Sequence, residues 1–334
     1  MATIGNTYVG LIDQLKQTGP DGVVTADIIE MLSETNPILS DATTIECNDG
    51  TSNLTTVRTG LPDGTWRELY GYVQPSKSTT KQVKDTTGML EAWSKVDSKM
   101  VALAGAGGNQ LRLNEAAAFL AGMGNQVAST MFYGNEAGNP AEFTGLAPRF
   151  NDLGAENGGQ IIDAGGTGAI NTSIWMVVWG ANTVHAIYPK GSRAGIMRKD
   201  LGEVVENDGS NGSRLMMTEQ FTWDIGLTVR DWRYVSRVAN IDTTAMAAGS
   251  VDLYKFLRKA YYALEQRKTP GGRAAIYVNS DTMEALDALA TNAGTTDNFV
   301  RLTPSEIEGE QIMTYRGIPI REVDAILNTE ARVV

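Results

Sequence analysis

The spacing of hydrophobic positions changes several times along the chain, and each change predicts an element. In the first forty residues Leu11, Ile12 and Leu15 fall at helical spacing. Residues 26–32 repeat that spacing until Asn36-Pro37 stops it. From residue 45 the pattern becomes extended. Residues 54–59 are rich in Thr and Val, and Leu61-Pro62-Asp63-Gly64 is a turn in which Pro presets φ and Gly accepts a positive one. Residues 65–73 then return with Trp66, Glu68 and Tyr70 on one face and Arg67 and Leu69 on the other. Both faces of this expected hairpin are mixed, which suits a projection better than a core. Residues 74–87 are polar, Lys-rich and aperiodic.

Residues 89–103 read as a helix. After Gly105, Gly107 and Gly108, Asn114 is a suitable N-cap for a helix over 115–133, which Gly134-Asn135 ends. Leu120, Met123, Val127 and Met131 form its apolar stripe, while Ala116, Ala117 and Ala118 keep its start thin. Strands are expected to dominate 174–241, including one long run across 215–242 interrupted at Gly226. A helix over 251–268, a strand over 274–278, a helix over 282–289 and a strand over 317–323 follow. The expected fold class is α+β, with no internal repeat.

The chain has 334 residues, 42% of them hydrophobic, enough for a sizeable core. A net charge of −11 argues against a surface built to grip phosphates and leaves room only for weak local contact with DNA. The single cysteine, Cys47, excludes an intramolecular disulfide framework, and the single histidine, His185, excludes a site that needs two imidazoles. No apolar run approaches the ~20 residues that span a bilayer. The N-terminus lacks a secretory pattern, so folding in a reducing cytosol is expected.

Four stretches invite a chemical reading, and each fails its motif. Around Gly105 and Gly107 a dinucleotide fingerprint would need a third glycine where Gln110 stands, and the helix is expected to begin late, near Asn114. HAIYPKGSRAG, residues 185–195, has Lys190 before Gly191 rather than after it, and Ser192 lacks the flanking glycines of a nucleophile elbow. His185 has no nucleophile or orienting carboxylate in a recognisable pattern, so a structural role is expected. In residues 202–212, aligning Gly209 with a calcium loop puts Val204 and Leu215 where carboxylates are required, which leaves a solvated hairpin tip. Lys77, Lys81 and Lys84 form a small basic run without aromatics. No catalytic, cofactor-binding or metal residue is assigned, no cofactor is expected, and the chain reads as no enzyme.

The order arm, hairpin, glycine joint and long helix is followed by four phrases: FYGNEAGNPAEFTGLAPRF, SIWMVVWGANTVHAIYPKGSRAGI, WDIGLTVRDWRYVSRVANID and YRGIPIREVDAILNTEA. Together they resemble the major capsid proteins of tailed bacteriophages, in the podovirus-type group. The resemblance implies the Johnson fold. It implies an N-terminal arm over 1–44, an extended loop over 45–87 that lies on a neighbouring subunit, and a mainly peripheral domain over 88–250 with a spine helix at 114–134. A mainly axial domain over 251–323 and a C-terminal segment over 324–334 complete it, with the three glycines as the joint before the spine helix.

The implied function is self-assembly, as hexamers and pentamers, into an icosahedral shell around double-stranded DNA. Implied partners are a separate scaffolding protein, a portal protein at one vertex and a cement protein outside, with no membrane. The implied location is the virion, assembled in the bacterial host cytoplasm. About 44 residues before the hairpin are too few for a fused scaffolding segment, so a chain that keeps its N-terminal region is expected. Covalent cross-linking would need an acid partner for Lys77, Lys81 or Lys84, and none is marked. Two alternatives stay open: an encapsulin-like compartment shell, disfavoured by the long polar hairpin, and more remotely a nucleotide-binding enzyme.

Overall fold

The computed structural model describes residues 36–207, 212–268, 270–291, 303–307 and 310–334. The expected arm residues Leu11, Ile12 and Leu15, the helix at 26–32 and the hairpin tip at 208–211 lie outside them. The described chain begins with a short helix α1 (Ile38–Asp41) and strands β1 (Thr44–Glu46), β2 (Ser52–Gly60) and β3 (Thr79–Asp97). Helices α2 (Ser98–Leu103) and α3 (Gly108–Tyr133) follow, then β4 (Ile161–Asp163), β5 (Asn171–Trp179), β6 (Val184–Tyr188), β7 (Met197–Asn207), β8 (Ser213–Val229) and β9 (Val235–Asp242). The last part holds α4 (Thr243–Ala247), α5 (Leu253–Ala263), β10 (Arg273–Val278), α6 (Ser280–Thr291), β11 (Thr303–Ile307), β12 (Glu310–Tyr315) and β13 (Ile318–Glu322).

The architecture is organised around β5. Its run of β-branched and large apolar side chains is buried at every position, because β9 and β10 flank it antiparallel and helices cover both faces. Side chains alternate across a strand. Trp175, Val177 and Trp179 enter one core with Val127, Met131 and Phe132 of α3. Ile174, Met176 and Val178 enter a second with Leu253, Leu257 and Ala260 of α5 and Leu286 of α6. One strand is thus the shared wall of two hydrophobic layers. The strand order β11-β12-β13-β10-β5-β6-β8-β3-β2 carries the sheet from the α5–α6 layer to the projecting ribbon, with β7 on β8.

Several expected elements are redrawn. The partner of β2 is not the stretch 65–73 but the Lys-rich run that opens β3: Thr56 faces Gln82 and Leu54 faces Lys84. Both faces of that ribbon are solvated, so the run carries no alternation to read. Residues 89–97 are not helical. They continue β3 along β8, from Met89 opposite Asp224 to Asp97 opposite Met216, and the long pairing overrides a helical spacing of apolar residues. The helix proper starts at Ser98, capped by the Asp97 carboxylate on the Lys99 amide at 2.8 Å.

The spine helix begins at Gly108 rather than near Asn114, so Asn114 is an interior residue that accepts from Gln110. Gly105 has φ of 53°, and a Cβ on Gly108 would lie 2.5 Å from the Val101 carbonyl. The glycines therefore make the tight corner at which α2 folds back on α3. The long strand expected over 215–242 is broken: β8 ends at Val229, a single 3₁₀ turn (Trp232–Tyr234) starts at Asp231, and β9 resumes.

Candidate functional site

Beyond the last rungs of the β2–β3 ribbon the chain forms a loop over 61–78 with no regular structure. Trp66 is 102% exposed and Tyr72 99%, and Leu61, Leu69 and Tyr70 are also bare. Few local bonds shape the loop: Ser76 Oγ to the Asp63 carbonyl at 2.8 Å, and the Gly71 amide to the Glu68 carbonyl at 3.0 Å. Tyr70 takes φ of 66°, a left-handed conformation uncommon for a non-glycine residue. Aromatic side chains bury roughly 150–250 Å² each when covered. These five residues could thus supply most of the ~800 Å² that one partner contributes to an ordinary protein interface. So many bare large apolar side chains within one short loop mark a candidate docking surface.

The base of the ribbon is fixed as firmly as its tip is free. Asp85, 4% exposed, pairs with Arg149 at 2.7 Å, and Arg149 donates further to the carbonyls of Thr144 and Leu227 at 3.1 and 3.0 Å. Thr86 Oγ1 donates to Glu136 at 2.8 Å, and Asn53 reaches Thr228 at 3.4 Å. Gly88 and Gly226 sit at this junction: a Cβ on Gly226 would meet the Thr86 carbonyl at 2.5 Å.

Further ion pairs tie the spine helix to the sheet. Arg112 of α3 bridges Asp200 of β7 (2.9 Å) and the buried Glu219 of β8 (2.5 Å), which also takes Arg198 at 2.8 Å. These bonds hold the Asp200 carboxyl below its usual range, led by the Gly202 amide and then Arg112. A second knot lies under α3. Arg237 pairs with Glu330 at 2.9 Å, donates to the Phe150 carbonyl at 2.7 Å and lies 4.8 Å over the Trp175 ring, while Ser173 and Tyr133 donate to the same carboxylate. Burial, followed by the Glu330 charge, pushes the Tyr133 phenol well above its ordinary range. Asp41 joins Arg273 (2.7 Å), Tyr277 (3.0 Å) and Arg321 (3.5 Å), pinning α1 to β10 and β13.

None of the stretches with a chemical look forms a reactive arrangement. The glycine corner is preceded by a helix rather than a strand. In the 185–195 stretch the Gly191 amide already binds the Glu46 carboxylate at 2.7 Å, and the Lys190 amide the Gly50 carbonyl at 2.8 Å. His185 is fully buried in β6, and neither ring nitrogen has a hydrogen-bond partner among the described residues. Its structural role is that of a desolvated imidazole, with its pKa lowered to about 4 by burial and then by Arg230, against a smaller raising effect of the Gly180 backbone. Cys47 is buried, and desolvation with the Glu46 charge pushes its thiol up to about 11. The strands flanking the 202–212 stretch do form a hairpin, with Asn207 opposite Ser213. Lys84 pairs with Asp49 at 3.6 Å, and Lys77 and Lys81 lie exposed on the loop and ribbon. Among the described residues no group of three His, Cys, Asp or Glu side chains could hold a metal ion, and no helix is long and apolar enough to cross a membrane.

Asp41, Arg149, Arg237 and Glu330 were not singled out by sequence. Each has partners between 64 and 280 positions away, a distance that no local spacing reports.

The family described as major capsid protein GP7 matches residues 19–334. A solved structure of bacteriophage Epsilon15 is similar over 100% of this chain and 99% of its own, at 36% identity and a TM-score of 0.80. The bacteriophage JBD30 capsid matches 89% of this chain and 93% of its own, at 13% identity and a TM-score of 0.50. An encapsulin from Synechococcus elongatus PCC 7942 covers 65% of this chain and 91% of its own, at 10% identity and a TM-score of 0.42. No curated protein matches.

Proposed function

Because this chain belongs to the major capsid protein GP7 family and is the shell-forming protein of a tailed-phage virion, we propose that the bare loop over 61–78 is the element that locks one subunit onto the next. The observation that carries this is the pairing of a free apolar tip with a rigid base: Trp66 and Tyr72 fully exposed, and beneath them the buried Asp85 bonded to the half-buried Arg149. An aromatic tip left in water by an isolated chain offers a neighbouring copy apolar surface to cover.

On this reading the shell is icosahedral, built of pentamers and hexamers, and encloses double-stranded DNA. The α3-side core belongs to the peripheral domain and the α5–α6 core to the axial domain. Both share β5, so the division expected at residue 250 runs through the thickness of the sheet rather than between two separate lobes. A net charge of −11 keeps contact with packaged DNA weak. A separate scaffolding protein, a portal at one vertex and assembly in the host cytoplasm complete the proposal. The structural role leaves no need for catalysis.

Replacing residues 61–78 with a two-residue turn tests it. The shortened chain is expected to fold cooperatively with an unchanged melting temperature and to form no closed particles by electron microscopy. Normal particles from that variant would refute the role of the loop.

A further inference from the structure

Exposed charge is unevenly divided in the layer made by α5, α6, β10 and β13. The two strands run parallel, with Ile276 opposite Ile320 and Val278 opposite Glu322, so their starts share one end of the layer and their finishes the other.

The starting end is basic. Arg316, in the turn before β13, and Arg267, before β10, converge with Arg258 of α5 around Tyr262. Arg267 lies 4.8 Å over the Tyr262 ring, and Arg316 lies 5.0 Å from the Tyr261 ring and 5.3 Å from that of Tyr262. The phenol of Tyr262 is held below its usual range, first by Arg316 and then with help from Arg267 and Arg258. An open cavity of about 570 Å³ is lined by Arg267, Arg273 and Arg316 with Tyr261. Arg273 is matched by Asp41, but among the described residues no carboxylate pairs with Arg258, Arg267 or Arg316.

The finishing end is acidic. Glu322 closes β13, Asp281 opens α6 immediately after β10, and Glu284 follows one turn later; all three are exposed. Arg321, beside Glu322, is held by Asp41, and Glu265 at the basic end pairs with Lys268 at 3.5 Å.

The five residues of β13, Ile318 to Glu322, span about 13 Å of extended chain, with Arg316 beyond them in the turn. That is longer than the ~8 Å over which charge is felt at physiological salt. The two ends therefore do not neutralise each other and are open to other molecules.

We propose that these ends are a head-to-tail connector, in which the Arg258–Arg267–Arg316 cluster of one copy receives the Asp281–Glu284–Glu322 end of the next around a ring. This rests on the reading of the chain as a shell subunit and names the contact within it. A copy is the fitting partner because it carries both halves: copies with a net charge of −11 repel each other, and the basic end is where that repulsion reverses. Fixed arginines stacked on tyrosines lose little freedom when they bind carboxylates. A contact between unlike ends is heterologous, and it closes into a ring when the rotation allows.

Charge reversal in the full-length chain tests the proposal, read by native mass spectrometry and electron microscopy. Arg267→Glu with Arg316→Glu, and separately Glu284→Arg with Glu322→Arg, should each lower the yield of rings and shells by at least ~tenfold. Circular dichroism should show the fold retained. Combining all four changes in one chain swaps the ends and should restore assembly of that chain with itself but not with the wild type. If a reversed pair fails to fold, Arg267→Gln and Glu284→Gln give the milder version, with a smaller loss in the same direction.

Folded reversed variants that assemble like the wild type would overturn the connector, as would a folded four-site variant that stays unassembled. Two-fold dimers in place of rings would overturn it too. Loss of duplex-DNA binding in the Arg267→Glu, Arg316→Glu variant, with assembly intact, would assign the basic end to nucleic acid instead. A wild-type chain that forms no shells at all would refute the shell reading itself and is distinguishable from every one of these results.

Discussion

Removing the Glu330 side chain should cost the subunit far more stability than its place four residues before Val334 suggests. Glu330 and Arg237 are each about 5% exposed, and the guanidinium spends its donors on Glu330 (2.9 Å), Ser173 (3.1 Å) and the Phe150 carbonyl (2.7 Å). In Glu330→Ala the cation stays buried against Trp175 without its counter-charge, and Ser173 and Tyr133 lose their acceptor. Breaking a buried pair from one side costs about 3–5 kcal/mol. A chain of 334 residues has an unfolding entropy of roughly 0.7 kcal/mol/K near its transition, so the melting temperature should fall by about 6 °C. Replacing both partners with apolar residues, Arg237→Met with Glu330→Leu, removes the stranded charge and should recover most of the loss. Calorimetry on the unassembled subunit, with urea unfolding of the four corners of the cycle, gives the coupling energy directly. A Glu330→Ala cost below about 1 kcal/mol, or a double variant as unstable as the sum of its singles, would refute the reasoning.

Trp66→Ala should leave the melting temperature of the subunit unchanged, since the side chain is fully exposed. It should weaken assembly by about 2 kcal/mol or more, with Arg67→Ala doing less; light scattering during assembly separates the two. The folded-state pKa of His185 is depressed from 6.5 to about 4, so the unfolded chain binds the proton first. Its contribution is fully present above about pH 6.5 and is lost as pH falls toward 4, up to about 3 kcal/mol; His185→Gln should flatten that part of a stability–pH curve. Gly226→Ala should destabilise by roughly 1–3 kcal/mol, because its Cβ would press on the Thr86 carbonyl and the Ile187 side chain; urea midpoints of the variant and wild type check it.

What the chain discloses about itself follows the reach of each interaction. The apolar stripe of α3, the buried run of β5 and the face of α5 come from side chains a few positions apart, and all three are visible as spacing. The alternation of Trp66, Glu68 and Tyr70 is equally plain but is misleading: it suits a strand, and no strand edge is there to receive it. Residues 79–87 do form the return strand, yet with water on both faces nothing selects a period. The opposite ends of the α5–α6 layer are legible as charges, but only the parallel register of β10 with β13 sorts them. Asp41 and Glu330 carry no signal beyond being acidic, since their roles exist only once chain segments more than 150 positions apart have met.

The strand β3 does two jobs without a joint between them. Its first residues form the ribbon with β2, and from Thr87 onward it is a rung-for-rung partner of β8 in the body. The ribbon is thus an outrigger whose beam is built into the hull. Thr79 to Thr86 extends about 25 Å, so a tilt of roughly 10° in the body sheet displaces the far end of the paired segment by about 4 Å. On the proposed role of the loop, small differences in how the sheet is twisted from copy to copy would be magnified into different landing points for Trp66. One covalent chain would then fit several curvatures by bending a beam, with no change in which residues do the gripping.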